Sequence, residues 1–557
     1  MSVRRSCQEC LVAVVAAGFA FFADVSSAQE HFLARGGKAE AVIVVGREND
    51  TLCHWVAGEI KRYVKQLSGA ELPVVESDEL PTGKSLLVLG SPKTNPLVAA
   101  AQEKGLVDFT GLKPEGLILK TVKLEGRPAV IVGGNDEAST MYAVYALLER
   151  LGIVFQLTND IIPQKKPDLA MPALDVRMEP VLKYRGMHCC HGLRWYMGLE
   201  DFRRHIDQLA KLKMNCLQFY FGIGGSPWLE FSYKGKKTEI LYPRESGYLA
   251  WGGKNMLDTS GTANDVRVGR ECFPTEYLGA PEFAHVQTQE QAYRTAREFL
   301  REVIRYAHSR KIQVWLMMGE IPRVPANMVP PDVKTPLNLF YCGRLLPGGH
   351  PDLVPIWEAA VTSLLESYPE ADAIGFWCSE HSARADDPET QRMLAEYPEA
   401  RKLIPALEEI TRLGNTHAAG QQGSMGKSGS VLDSDFAEIC VANKVVRAIK
   451  ARHPDVNLMV SLLFRGYLLR AMDALMPEGV RLQNMDTFAN SKPVMHFYGG
   501  MPGRELLVMP RIDHDGCELH MQLNITQYDE DEIISGSAKY GVAGIVGQLN
   551  KERGLEV

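Results

Sequence analysis

The rhythm of apolar and polar positions changes once along the chain. From about residue 30 to 175, short β-rich runs alternate with amphipathic helical stretches: EAVIVVG, a helix from Leu52 to Gln66, KSLLVLG, a helix near Val98, the paired runs GLILKTVKLE and PAVIVGG, and a helix from Glu137 to Leu151. This pattern predicts a small α/β domain over residues 29–175. The Pro-rich stretch IIPQKKPDLAMPALDVRMEP reads as the linker that follows. Beyond it the order is strand, loop, helix, repeated. Candidate strands are LKYRGMHC, MNCLQFYF, KIQVWLMMG, ADAIGFWCS, NLMVSLLF, VRLQNMDTF, ELLVMPRI and GVAGIVGQ, with helices over Leu199 to Lys211, Thr288 to His308, Val354 to Ser367 and Asp433 to Ala451 between several of them. Eight strands separated by helices predict a (β/α)8 TIM barrel over residues 176–557. A doubly wound sheet would carry a glycine-rich phosphate loop, and GGNDEAS at Gly133 lacks that glycine spacing. Only LNKERGLEV follows Gln548, so the expectation is either an incomplete last barrel helix or a chain truncated there.

Two loops interrupt the rhythm. Between Gly222 and Gln287 lies a Gly-, Pro- and aromatic-rich segment with Trp228, Tyr248 and Trp251, long enough for a binding loop or lid. GQQGSMGKSGS near Gly420 reads instead as a flexible surface insert. At the start of the chain, Arg4 and Arg5 precede an apolar stretch from Leu11 to Phe22, and Ser26-Ser27-Ala28 supplies small residues at the cleavage positions. A secretory signal peptide over residues 1–28 is expected, and with it a secreted or periplasmic protein. The apolar stretch is shorter than the roughly 20 residues that span a bilayer, and no later segment is long and apolar enough, so no membrane span is expected.

Composition narrows the partners. The 557 residues are 45% hydrophobic and 23% charged, the balance of a globular protein, and the net charge of −7 is spread without a basic block. Nucleic acid is therefore not an expected partner. Of eleven Cys, Cys7 and Cys10 fall in the signal stretch, which leaves nine: Cys53, Cys189, Cys190, Cys216, Cys272, Cys342, Cys378, Cys440 and Cys517. The odd number and irregular spacing give no disulfide framework, and most sit in apolar runs where Cys packs as a small hydrophobe. His188-Cys189-Cys190-His191 resembles a metal site only in composition, because neighbours on a strand point to opposite faces. No metal or organic cofactor is expected.

A barrel collects its chemistry at the carboxyl ends of its strands. That rule selects Arg185 and His188 from the first strand, Glu320 from the third, and Ser379, Glu380 and His381 from the fourth. The fifth supplies Arg465 and Tyr467, the sixth Asp486, the seventh Asp513 and Asp515, and the eighth Gln548. Carboxylates among Arg, His, Trp and Tyr suit glycosidic cleavage, which needs an acid for the leaving oxygen, a second carboxylate, and aromatic faces such as Trp228 and Trp377 to stack on the sugar. Alternatives stand beside several of these. Glu320 could pair with Arg323, Asp486 could cap its turn, and Asp513 and Asp515 could be a solvated rim. Glu380 is the strongest candidate acid, since it follows a very apolar strand and lies between Trp377 and His381.

PVLKYRGMHCCHGLRWYMGLEDFRRHIDQLAKLKMNCLQFYF resembles the opening of the barrel in the β-N-acetylhexosaminidase superfamily, and EFLREVIRYAHSRKIQVWLMMGEIP is similar to that family's helix and third strand. AVIVGGNDEASTMYAVYALLERLGIVF resembles the end of the domain that precedes the barrel in hexosaminidases and α-glucuronidases. Its Leu-Glu-Arg-Leu-Gly wording, with LLVMPRIDHDG and GVAGIVGQ, lies closer to the α-glucuronidase-like branch. The resemblance implies a glycoside hydrolase acting on poly- or oligosaccharides, with Glu380 as general acid and Arg185 binding sugar hydroxyls. Asp486 or Asp515 would be the second carboxylate, and His188, Trp228, Glu320, Trp377, His381 and Tyr467 would line the substrate. Two departures matter. Hexosaminidases carry Asp-Glu where this chain has Ser379-Glu380, so the group that orients an acetamido nucleophile is absent, and Pro-Glu-Ile-Asp is reduced to Gly319-Glu320-Ile321-Pro322. The expectation is then an inverting pair, with Glu380 roughly 6.5 to 9.5 Å from Asp486 or Asp515. The rival expectations are a non-catalytic carbohydrate-binding barrel, or an N-acetylhexosaminidase-type enzyme without the Asp-Glu pair.

Overall fold

Runs of Val, Ile and Leu buried on both faces form the centre of the first sheet. The computed structural model describes residues 31–47, 51–81, 85–189, 198–224, 226–240, 280–334, 337–338, 343–378, 388–413, 431–486, 495–510 and 530–548. They divide into two units, one up to Val154 with Asp160–Glu179, the other Phe155–Asn159 with the chain from Pro180 onward. The first holds β1 (Phe32–Arg35), β2 (Ala41–Val45), α1 (Thr51–Ser68), β3 (Val74–Glu76), β4 (Ser85–Leu89), α2 (Pro96–Glu103), β5 (Leu117–Leu124), β6 (Arg127–Gly134), α3 (Glu137–Arg150), β7 (Leu169–Ala170) and β8 (Asp175–Met178). Its six-stranded sheet runs β8-β5-β6-β4-β2-β3. Strands β5 and β6 pair antiparallel up to Leu124 and Arg127, so the turn is two residues, Glu125 and Gly126, with φ of 47° and 81°. Two successive positive φ values match the twist of a hairpin, and glycine takes the second without steric cost. Asp136 caps α3 by accepting from the Ser139 backbone N–H at 2.7 Å, while Ser139 Oγ accepts from the Asp136 N–H at 2.9 Å. The Pro-rich stretch is more than a linker: β7 pairs with β1 and β8 pairs with β5, so two short edge strands lie between its prolines.

All eight strands expected of the barrel are present, each paired in parallel with the next. They are β9 (Tyr184–Cys189), β10 (Cys216–Phe221), β11 (Gln313–Ile321), β12 (Ala373–Cys378), β13 (Leu458–Leu463), β14 (Arg481–Asp486), β15 (Leu506–Pro510) and β16 (Gly544–Gln548). β16 pairs with β9 and closes the ring. Around it lie α4 (Leu199–Lys211), α5 (Gln289–Ser309), α6 (Leu353–Ser367), α7 (Val431–Arg452), α8 (Leu469–Leu475) and α9 (Glu530–Tyr540). Alternation along the strands sends Tyr184, Cys216, Trp315, Met317, Ala373, Trp377, Met459, Met485, Leu507, Met509 and Val546 into one buried cluster. Glycine at 375 makes room there for a methionine, since a Cβ at that point would meet Met317 Sδ at 2.1 Å.

The amino-terminal end of the barrel is plugged. Tyr184 and Trp315 meet edge to face with centroids 4.9 Å apart, and the Arg481 guanidinium lies 5.2 Å from each ring. Glu505 accepts from Arg481 Nε at 2.7 Å, from Tyr184 OH at 3.2 Å and from Lys183. Burial works against its charge, but the bonds from Lys183 and Arg481 outweigh that and hold its carboxyl below the ordinary range.

Candidate functional site

At the carboxyl end of β11 the ladder slips by one residue. Met318 pairs with Phe376, but Glu320 pairs with Trp377 and Ile321 with Cys378, so Gly319 is the additional residue of a bulge. The slip sets Glu320 level with Trp377, a residue of the interior cluster. Glu320 is buried and accepts from Arg323 Nε at 2.7 Å. The pairing considered in the sequence is thus present.

A second buried ionic group lies beside it. Arg465, just past β13, is 1% exposed. Its Nε is 3.1 Å from Asp435 Oδ1, and its Nη1 donates to Glu438 Oε2 at 3.0 Å. Tyr467 OH donates to Asp435 Oδ2 at 2.6 Å, and the Arg465 backbone N–H donates to Asn484 Oδ1 at 3.1 Å. Burial opposes the guanidinium's charge, but the carboxylates of Asp435 and Glu438 win and raise its pKa further. Cys378 ties the two groups together. Burial pushes its thiol well up, Glu438 and Glu320 push the same way, and Arg465 opposes them. Asp435 and Glu438 were not among the sequence candidates. Their signal is two acids at i and i+3 on a stretch of α7, VLDSDFAEICVANKVV, that is otherwise almost wholly apolar.

The barrel interior holds a third polar group. His188 Nδ1 is 3.0 Å from Gln218 Oε1, and Gln218 Nε2 donates to Gln483 Oε1 at 2.6 Å. Gln483 Nε2 lies 3.2 Å from Ser461 Oγ and 3.0 Å from Met509 Sδ. Above this chain His188 meets Trp377 edge to face, centroids 5.3 Å apart, and Tyr220 lies 5.9 Å from Trp377. The buried Trp377 Nε1–H has no hydrogen-bond partner among the described residues. Gln218 and Gln483 were also missed, although each stands at an inward position of its strand, in CLQFYF and RLQNMD.

The other expectations meet the structure unevenly. Arg185 is the second residue of β9, at the plugged end; its Nε and Nη1 donate to the backbone oxygens of Lys213 and Leu182, both at 2.9 Å. That location does not suit a sugar ligand held at the carboxyl ends. Trp228 is no stacking platform either. It packs edge-on against Phe219 (5.4 Å) and Phe283 (5.9 Å), with Phe299 of α5 at 5.9 Å, on the outward side of β10, and its carbonyl accepts from Tyr368 OH at 2.7 Å. The ring of Tyr467 walls a cavity of about 210 Å³ with Leu403, Arg470, His496 and Phe497. Asp486 ends β14 opposite Pro510, and its side chain lies outside the described residues. Ser379, Glu380, His381, Asp513 and Asp515 also lie outside them. Cys53, Cys189, Cys216, Cys378 and Cys440 are buried free thiols, which is the packing role expected of them. No helix among the described residues is long and apolar enough to cross a membrane.

Comparison with known proteins places these features. Residues 29–147 match the family model described as the Glycosyl hydrolase family 67 N-terminus. A β-hexosaminidase of Porphyromonas gingivalis is 25% identical over 138 residues, which is 24% of this chain and 16% of that protein, so the match spans about a sixth of the relative's length. Among solved structures, a β-N-acetylhexosaminidase from Bacteroides fragilis superposes with a TM-score of 0.49 at 11% identity, covering 94% of this chain and 83% of that one. An inactive mutant of a family 20 exo-β-N-acetylglucosaminidase from Vibrio harveyi gives 0.46 at 10% identity, covering 93% and 67%. The resemblance to hexosaminidase- and α-glucuronidase-type glycoside hydrolases read from the sequence is thus met again in an N-terminal domain similar to that of family 67.

Proposed function

We propose that the protein is a glycoside hydrolase of the α-glucuronidase and hexosaminidase type, acting on oligo- or polysaccharides with Glu380 as proton donor. The observation that carries the reading is the family 67 N-terminal match over residues 29–147, followed by a closed barrel with buried carboxylates, guanidinium groups and aromatic rings at the carboxyl ends of its strands. In this reading Glu380 protonates the leaving oxygen and Asp486 or Asp515 activates water, giving inversion at the anomeric carbon. Trp377 and His188 hold the sugar. The protein is exported, with cleavage near Ala28, which amino-terminal sequencing from the native host checks. An intact Met1 on the mature protein overturns export.

The test of activity is a screen of purified protein against aryl glycosides of several sugars, α-glucuronides and N-acetyl-β-hexosaminides included. Glu380→Gln is then expected to keep sugar binding and lose turnover by a factor on the order of 10² or more. A second reading, a carbohydrate-binding barrel without catalysis, is favoured by Ser379 in place of an acid and by the engagement of Glu320 with Arg323. It predicts calorimetric binding of the sugar with no turnover in either protein.

A further inference from the structure

His188, Gln218, Gln483 and Ser461 are each 1% exposed or less, come from four different strands, and are linked to one another by hydrogen bonds. The orientation of both amides follows from chemistry. Met509 Sδ, 3.0 Å from Gln483, can only accept, so the Gln483 NH2 group faces it. That leaves Gln483 Oε1 to accept from Gln218 Nε2, and a second sulfur, Met459 Sδ at 3.9 Å, lies on the same nitrogen of Gln218. Gln218 Oε1 is therefore the atom facing His188, and a carbonyl oxygen only accepts. His188 Nδ1 must donate.

We infer that Gln218, locked by Gln483 and the two methionine sulfurs, is a positioning residue that fixes His188 as its Nδ1–H tautomer, so that Nε2 presents a lone pair to a sugar hydroxyl. A hydroxyl both gives and takes a hydrogen bond. The Nε1–H of Trp377, whose ring centroid is 5.3 Å from that of His188, is a buried donor with no hydrogen-bond partner among the described residues, and His188 Nε2 is the complementary acceptor. The sugar part of this inference rests on the proposed function. The tautomer does not.

The experiment uses the full-length protein labelled with 15N-histidine, with His188 identified by the signal lost in His188→Gln. Long-range 1H–15N correlation is expected to show a protonated Nδ1 and an unprotonated Nε2. Gln218→Leu is expected to admit the Nε2–H tautomer and to raise KM on the order of tenfold, with kcat changed far less, as for the loss of one buried hydrogen bond. An Nε2–H tautomer in the unmodified protein overturns the inference whether or not Gln218→Leu folds, and so does an unchanged tautomer in a folded Gln218→Leu. The correct tautomer in a protein that turns over no glycoside overturns the proposed function and leaves the lock standing.

Discussion

Replacing Arg465 by methionine keeps most of the side-chain volume and removes the charge between Asp435 and Glu438. Breaking one buried ion pair costs about 3 to 5 kcal/mol, because an uncompensated charge is left in the interior. Two carboxylates share this guanidinium, so the cost is bounded instead by the protons they can take up. Protonating a carboxyl of ordinary pKa near 4.3 costs about 3.7 kcal/mol at about pH 7 and about 1 kcal/mol at about pH 5. One protonation relieves the mutual repulsion, which sets the loss at about 4 to 6 kcal/mol near neutrality. In the variant the folded-state carboxyl pKa lies above its unfolded value. The folded form therefore binds more protons than the unfolded form, and its deficit shrinks as pH falls. Urea unfolding followed by tryptophan fluorescence reads this domain, because six of the seven tryptophans follow residue 180 and only Trp55 precedes it. A loss under about 1 kcal/mol, or one that is the same at pH 5 and pH 7, would refute the reasoning.

Trp228→Ala is expected to destabilise the same transition by about 3 to 5 kcal/mol without altering sugar affinity, since the ring fills the packing outside β10; a selective loss of affinity would return it to the ligand. Gly375→Ala, which drives a Cβ against Met317, is expected to cost about 1 to 3 kcal/mol by the same assay. The hydrogen bond that His308 Nε2–H donates to Asp372 Oδ2 at 2.8 Å raises the imidazole pKa even though burial lowers it. That contribution is complete below the unfolded histidine pKa and lost as pH rises through the folded value, so the stability gap between the native protein and His308→Gln should close from mildly acid to alkaline pH. A gap independent of pH would remove the ion pair from the account.

Period-two alternation made the eight barrel strands legible, because each carries an apolar run buried on both faces or an inward set that packs. It could not show the slip at Gly319, which adds a residue without disturbing the apolar count and resets the level of Glu320. Arg185 meets both the strand-end rule, applied to the first barrel strand as a whole, and the likeness to a sugar-binding arginine, yet as second residue of β9 it stands near the opposite end from the strand's carboxyl terminus. Trp228 is a plainer ambiguity: an aromatic residue in a long loop suits stacking on a sugar or on Phe219 equally, and only the tertiary neighbours decide. Gln218 and Gln483 are single polar residues in apolar strands, and their meaning lies in each other, 265 residues apart.

The Glu505 clamp joins residues that a ribosome makes far apart in time. Tyr184 and Glu505 are separated by 321 residues, and β16, which closes the ring, ends later still, at Gln548. By contrast, the six-stranded sheet of the first domain has its last strand once Met178 has emerged. About 370 further residues must follow before the barrel can close, a wait of roughly 20 to 70 s at ordinary elongation rates. Until β16 arrives β9 lacks one of its two pairing partners, so any barrel sheet that forms early carries an open edge that folding must keep shielded.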